Sequence, residues 1–378
     1  MISKSIKISV ALFSASVMWS CFSKKDTSID LPVETVVEAV EYISGIDIPW
    51  GMAFLPNEDM LITEIKGKMY RHDGNQLLEI SGMPEVWIHG QGGLLDVAVH
   101  PNFEQNNWIY FTFSSSHKEG ELGEGGTTEL VRAELNGTEV QNLTSLYKGK
   151  HNSEKPFHFG SRIVFDDKGY LYFTIGDRGN RDVNPQDIQR DGGKVYRLKD
   201  DGSIPEDNPF VNEEGARDAI FSYGHRNLQG LIYHPVYKTI WEHEHGPKGG
   251  DELNELKKGV NYGWPVITYG INYSGTSITD ETEKQGMEQP LYYWVPSIAP
   301  SGMAYVDSDI YPDWKGNILI GSLSFQYLER LVMKDKKMAK REKLLEEIGR
   351  VRDVEQGPDG YIYVSVEGKG ILKLVPKA

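Results

Sequence analysis

The sequence predicts an all-β protein, a six-bladed β-propeller, on three observations. Glycine is frequent at 40 of 378 residues and there are 20 tyrosines, a composition of short strands and tight turns. Long amphipathic helical stretches are scarce. A phrase also recurs in which a turn rich in Gly, Asp, Asn or Pro leads into a short alternating strand. Its copies are "PNEDMLITE" from 56, "NNWIYFTFS" from 106, "DKGYLYFTIGD" from 167, "KTIWEHEHGP" from 238, "KGNILIGS" from 315 and "PDGYIYVSVEGKGILKL" from 358. Similar units at irregular spacing are how propeller blades read when loops of different length separate them, and about six blades of roughly fifty to sixty residues fit.

A propeller closes in a ring, so strands from the two chain ends often share one sheet, and residues 45–378 are expected to form one domain. The charged stretch "VMKDKKMAKREKLLEEIG", 332–349, has helical propensity and reads as a solvated blade connection with some local helix.

Ahead of the body, "MISKSIKISVALFSASVMWSCFSKKD" gives lysines at 4 and 7, an apolar run, small residues and then the only cysteine, Cys21. This is an export signal. It is similar to a bacterial lipoprotein signal, in which the thiol after a small residue, here Ser20, receives a lipid; plain secretion is the alternative. Residues 1–21 are therefore expected to be a lipoprotein-type signal and 22–44 a flexible tether. The body is then held at the cell envelope or in the periplasm. One cysteine permits no disulfide within the chain, and nothing after residue 21 is apolar for long enough to span a bilayer. The formal net charge of −15 argues against nucleic acid as a partner, because phosphate binding draws on clustered Lys and Arg.

Propellers place their sites where strand-connecting loops converge on the central channel, so polar residues at strand ends matter most. His158 precedes "SRIVFD", and Asp177 lies in the "GDRG" turn at the far end of the same hairpin. A two-stranded unit returns the chain to its starting edge, where a carboxylate fixes the imidazole tautomer and raises its basicity. A backbone-bonded histidine and an ordinary turn aspartate are the plain alternative. "SYGHRNLQG", 222–230, crowds His225, Arg226, Asn227 and Gln229 between two glycines, which suits a carboxylate or carbonyl with Arg226 as bidentate donor.

"WEHEHGPKGGDELNELKKGVNYGWP", 241–265, puts His243 and His245 on one strand face and Glu244 on the other, which is not the spacing of a zinc-peptidase helix. It offers hard oxygen instead: carbonyls around Gly246 and Pro247 and the carboxylates of Asp251 and Glu252, a set suited to Ca²⁺. In "GRVRDVEQGPDG", Arg350 and Arg352 are two apart and hence on one face of a strand. Two cations aimed together in an acidic protein suggest a polyanionic ligand.

In this order the segments "IPWGMAFLP", "GQGGLLDVAVHPNF", "HFGSRIVFD", "IGDRG", "DGSIPEDNPF", "GHRNLQG", "EHGPKGGDELN", "NYGWP", "INYSG" and "RVRDVEQGPDGYIYV" resemble the soluble quinoprotein aldose sugar and glucose dehydrogenases, over about residues 45–378. The resemblance implies a six-bladed propeller that binds pyrroloquinoline quinone (PQQ), a tricarboxylate, together with Ca²⁺. It places His158 on the family's base and Asp177 on the carboxylate that supports it. Gln91 falls near the sugar, and Arg226, Asn227, Arg350 and Arg352 fall on cofactor contacts. The carbonyls of Gly246 and Pro247 match those that hold the cofactor's calcium, and Glu252 with the Tyr262 carbonyl matches a calcium position of the closer relatives.

The implied reaction oxidises an aldose or related cyclic hemiacetal to its lactone and passes electrons to a cytochrome or quinone of the envelope. Two departures stand out. Ser324 replaces a lysine that commonly touches the quinone, and Phe157 replaces an acid that contacts sugar in glucose-specific relatives, so a broad substrate range is expected. A non-catalytic carbohydrate- or protein-binding propeller of the same family, and a calcium-dependent lactonase, are the alternatives.

Overall fold

In a computed structural model, which describes residues 35–377, six four-stranded antiparallel sheets stand around a central channel. Their innermost strands are Pro49–Phe54, Leu94–Val99, Ile163–Phe165, Leu228–His234, Pro300–Tyr305 and Val351–Gln356. Each lies against the next, and the last lies against the first, so the ring is closed. Helix is confined, among the described residues, to Phe103–Asn106 and the short turn Pro312–Trp314, and no helix is long and apolar enough to cross a membrane.

Each recurring phrase supplies the second strand of a different blade: Met60–Glu64, Trp108–Ser116, Leu171–Ile175, Thr239–Glu244, Ile318–Ser322 and Ile362–Val366. These strands are sandwiched between neighbouring blades, so both faces are buried, including the hydroxyls of Thr63 and Thr112. Thr63 donates to the Leu95 carbonyl of the next blade, and Thr112 to the Ser161 carbonyl at 2.8 Å. Ser301, on an innermost strand, likewise reaches the Val351 carbonyl. Such buried bonds, each worth about 1 kcal/mol net, set the angular register of one blade on the next.

On the channel axis, Arg162 joins Asp96 at 3.1 Å and Asp353 at 2.8 Å, and donates to the carbonyls of Gln229 and Arg352. One buried guanidinium thus ties blades from four positions of the ring.

Two expectations are corrected. Val37–Ile43, assigned to the tether, is the outermost strand of the last blade and pairs antiparallel with Gly370–Pro376. Strands from the two ends of the described residues therefore share one sheet, as ring closure requires, but the body starts earlier than residue 45. The stretch 332–349 is not helical: Leu328–Lys334 and Lys337–Leu344 form the outer hairpin of the fifth blade. Its charges pair across strands, Arg341 with Glu329 at 2.5 Å and Arg330 with Glu342 at 2.8 Å, which favours the sheet over the helix that local propensity suggests. Cys21 and the export signal lie outside the described residues.

Candidate active site

The loops entering the innermost strands converge on one mouth of the ring. These loops and the first residues of the strands bring Gln91, Asn227, Gln229, Arg350 and Arg352 to the wall of a cavity of about 390 Å³, which Trp50 and Phe159 line with aromatic surface.

Next to Phe159 and Gly160 of that wall, the hairpin of Ile163–Phe165 and Leu171–Ile175 does what its geometry suggests. His158 Nδ1 and Asp177 Oδ1 are 2.7 Å apart. The carboxylate also accepts the Gly179 N–H at 2.7 Å on Oδ1 and the Trp264 Nε1–H at 2.9 Å on Oδ2. Surrounded by donors, it acts as acceptor from the imidazole, so the Nδ1–H tautomer is favoured and Nε2 carries the lone pair.

His158 is held from its backbone as well. Its N–H donates to Gln91 Oε1 at 2.9 Å, and its φ of 61° lies in the left-handed region, a conformation that persists only where surroundings enforce it. Gly176 lets the loop approach, since a Cβ there would stand 2.5 Å from the His158 carbonyl. The buried Arg178 guanidinium donates to the carbonyls of Phe157, Gly126, Ser153 and Lys155 and lies 3.5 Å from the Phe159 ring centre. Sequence reasoning gave Arg178 and Trp264 no role, although both sit inside quoted segments; their partners are brought by other parts of the chain.

Burial holds the His158 imidazole below its ordinary value, the positive charge of Arg226 adds to this, and Asp177 only partly opposes it. For Asp177 burial acts upward, but the charge and hydrogen bond of His158, then Arg226 and the Trp264 N–H, bring the carboxyl below its usual range. At neutral pH the pair is an ionised carboxylate beside a neutral imidazole.

Arg350 and Arg352 do share a face, and both bind one carboxylate that the sequence did not single out. Glu367 accepts from Arg350 Nε and from Arg352 Nη2, each at 2.7 Å. Arg350 Nη1 also reaches the Leu323 carbonyl at 3.0 Å. A cation therefore stands beside the exposed turn at Ser324.

Arg226 is more committed than its sequence context suggests. Its Nη1 donates to the carbonyls of His245 at 2.8 Å and Gly246 at 2.9 Å, and its N–H to Glu244 Oε2 at 2.5 Å. Asn227 Oδ1 accepts the Gly160 N–H at 3.2 Å while lining the cavity.

The 246–250 turn admits only glycine at 246, where a Cβ would meet the Gly249 carbonyl at 2.2 Å. Asp251, expected as a possible cation ligand, is instead consumed by four donors: the N–H groups of Gly246, Ile298 and Ala299 and the Ser297 hydroxyl. It fixes the turn. Glu252 and Tyr262 come together with Glu244 and Thr268 around a narrow cleft beside the main cavity. Burial, and after it the neighbouring Glu244, pushes the Glu252 carboxyl far up. Buried carboxylates facing carbonyl and hydroxyl oxygens suit a hard divalent cation, whose charge removes the cost of ionising them.

Comparison with known proteins places the molecule among sugar dehydrogenases of propeller fold. The family model described as glucose / sorbosone dehydrogenase matches residues 46–374, and the chain belongs to that family. It is 41% identical over 354 residues to the aldose sugar dehydrogenase YliI of Escherichia coli K12, covering 92% of this chain and 94% of that protein. The crystal structure of the soluble aldose sugar dehydrogenase of Escherichia coli in the apo form superposes with a TM-score of 0.84 at 38% identity, over 90% of this chain and 100% of that one. The PQQ-bound aldose sugar dehydrogenase of Streptomyces coelicolor superposes with a TM-score of 0.74 at 27% identity, over 92% and 99%.

Proposed function

We propose that this enzyme oxidises an aldose, or a related cyclic hemiacetal, at the anomeric carbon to its lactone, using PQQ and Ca²⁺, with His158 as general base. The observation that carries the reading is the 2.7 Å His158–Asp177 pair, with His158 held by Gln91 and followed in the chain by Phe159 and Gly160, all three of which line an arginine-lined cavity. A relative of known PQQ-bound structure at 27% identity supports the choice of cofactor.

Arg350, Arg352 and Asn227 would hold the quinone's carboxylates and carbonyls, with Arg226 at the side of the site. The carbonyls of Gly246 and Pro247 would hold the cofactor's calcium, and Glu252 with the Tyr262 carbonyl a further calcium. When bound, the quinone supplies the hydride acceptor and Ca²⁺ polarises it. His158 Nε2 takes the proton of the anomeric hydroxyl as the carbon–oxygen double bond forms, and Asp177 stabilises the imidazolium that results. Burial, with Arg226 and then Arg178 adding to it, keeps the imidazole neutral beforehand, hence able to accept. Gln91 fixes the His158 backbone from the sugar side. Phe157, whose ring lies 4.9 Å from that of His158, offers the sugar an apolar edge in place of a charged contact, which fits a broad range of aldoses.

The body is proposed to work in the cell envelope or periplasm, anchored through a lipid on Cys21, and to deliver electrons to a cytochrome or quinone there. The test of the reaction is dye reduction by the metal-free protein with a panel of aldoses. The expected result is reduction only after both PQQ and Ca²⁺ are added. Reduction without quinone, or none with both present, would overturn the proposal.

A further inference from the structure

Beside the cleft of Glu252 and Tyr262, three titratable side chains converge, of which His225 and Glu242 have no part in the reaction and Glu244 also borders that cleft. His225 lies in the loop before Leu228–His234, and Glu242 and Glu244 project from the strand Thr239–Glu244. His225 and Glu242 are 0% exposed and Glu244 is 4% exposed. The ring nitrogen and one oxygen of each carboxylate all lie within 4.8 Å of one another.

The pattern of satisfied and unsatisfied atoms points inward. His225 Nε2 has a partner in the Ser222 hydroxyl at 2.9 Å, and its ring stacks on Tyr262. Its Nδ1 has no hydrogen-bond partner and faces Glu244 Oε1 at 3.6 Å and Glu242 Oε1 at 3.7 Å. Those separations are too long for hydrogen bonds. They approach the edge of a tetrahedron around an ion with bonds of about 2.0–2.2 Å, roughly 3.3–3.6 Å. Glu242 Oε2 and Asn254 Oδ1 are likewise buried without partners, while Asn254 Nδ2 holds Glu242 Oε1 at 2.8 Å. A buried polar group left unpaired is costly, so a cluster of such groups calls for an occupant.

We propose that His225, Glu242 and Glu244 form a binding site for a divalent transition-metal ion, next to the Glu252 and Tyr262 cleft and sharing Glu244 with its lining. The imidazole nitrogen decides the class, since calcium takes oxygen ligands whereas imidazole suits zinc and its neighbours. The second ring nitrogen, bonded to Ser222, is the outer-sphere contact that fixes such a ligand. Glu244 uses Oε1 toward this site and Oε2 toward the Arg226 N–H. The ion therefore anchors the loop that presents Arg226 and Asn227 to the cavity.

The test uses the untagged full chain, stripped with chelator, saturated with Ca²⁺ to fill oxygen-only sites, exposed to Zn²⁺ and desalted. Metal content is then counted by mass spectrometry. The expected result is one Zn²⁺ per chain in the wild type and background levels in His225→Gln and Glu242→Gln. A wild type that retains no Zn²⁺, or folded variants that retain as much as the wild type, would overturn the site. If the variants fail to fold, Co²⁺ loading of the wild type decides. Intense ligand-field bands abolished by Zn²⁺ support the site, and the weak spectrum of hydrated Co²⁺ refutes it. Neither readout needs quinone or sugar, so failure of the dehydrogenase reading leaves this result independent.

Discussion

Replacing Asp177 by Asn tests the base-supporting pair, and the structure sets the magnitude. The carboxylate accepts from three donors, His158 Nδ1–H and the Gly179 N–H on one oxygen and the Trp264 Nε1–H on the other. Asn offers only one acceptor oxygen. With its NH₂ toward Trp264, the His158 tautomer survives but two buried donors oppose each other, at about 1–3 kcal/mol. With its NH₂ toward His158, the Gly179 N–H is opposed instead, and the imidazole must turn Nδ1 into an acceptor. Nε2 then carries the proton and cannot serve as base. Stability should fall by about 1–3 kcal/mol, and kcat by about 10²–10⁴-fold, the range of a lost general base. Adding Trp264→Phe removes the indole donor and with it the conflict in the productive orientation. The double variant should therefore turn over about tenfold faster than Asp177→Asn alone, since about 1.4 kcal/mol is tenfold. The assay is dye-linked aldose oxidation by protein loaded with PQQ and Ca²⁺, alongside thermal melts. Wild-type kcat in Asp177→Asn would refute the pair's role. A double variant slower than the single one would refute the orientation argument.

Three further outcomes are expected. His158→Gln should keep the melting temperature and quinone binding while abolishing dye reduction, and turnover equal to wild type would exclude His158 as the base. In the wild type, kcat/KM should fall on the acid side with a midpoint below the ordinary imidazole value of about 6.5, because burial and then Arg226 lower the His158 pKa; a midpoint at or above 6.5 in a pH–rate profile would contradict this. Burial pushes the Asp353 carboxyl up to about 7, with Arg162 opposing and Asp96 adding. The folded state thus holds a proton that the unfolded chain releases near pH 3.9. The associated stability is present at low pH and lost as pH rises through about 7. Calorimetric melts should show the decline between about pH 4 and 7, and Asp353→Asn should flatten it; an unchanged slope would exclude Asp353 as its source.

Much of this architecture was legible because it is local. The six phrases are second strands, whose two buried faces leave the densest apolar pattern, and each falls in a separate blade. His158 and Asp177 meet because a single hairpin joins them, and Arg350 and Arg352 share a face because strand periodicity is two. What escaped the sequence depends on the ring. Trp264 reaches Asp177 from 87 residues away, and Arg178 gathers carbonyls from as far back as Gly126. The hairpin of Leu328–Lys334 and Lys337–Leu344 was obscured because its exposed edge carries Lys, Arg and Glu, good helix formers whose ion pairs form only across strands. Val37–Ile43 was hidden because its partner, Gly370–Pro376, lies at the other end of the chain.

Absorbance titration of the purified metal-free chain asks whether the arginine-lined cavity binds PQQ together with calcium. Saturable quinone binding that requires Ca²⁺, followed by bleaching of the quinone band when an aldose is added, is the expected result. It would also show that Ser324 is tolerated with Arg350 close by. Absence of quinone binding with Ca²⁺ present, in a protein whose fold is intact, would contradict it.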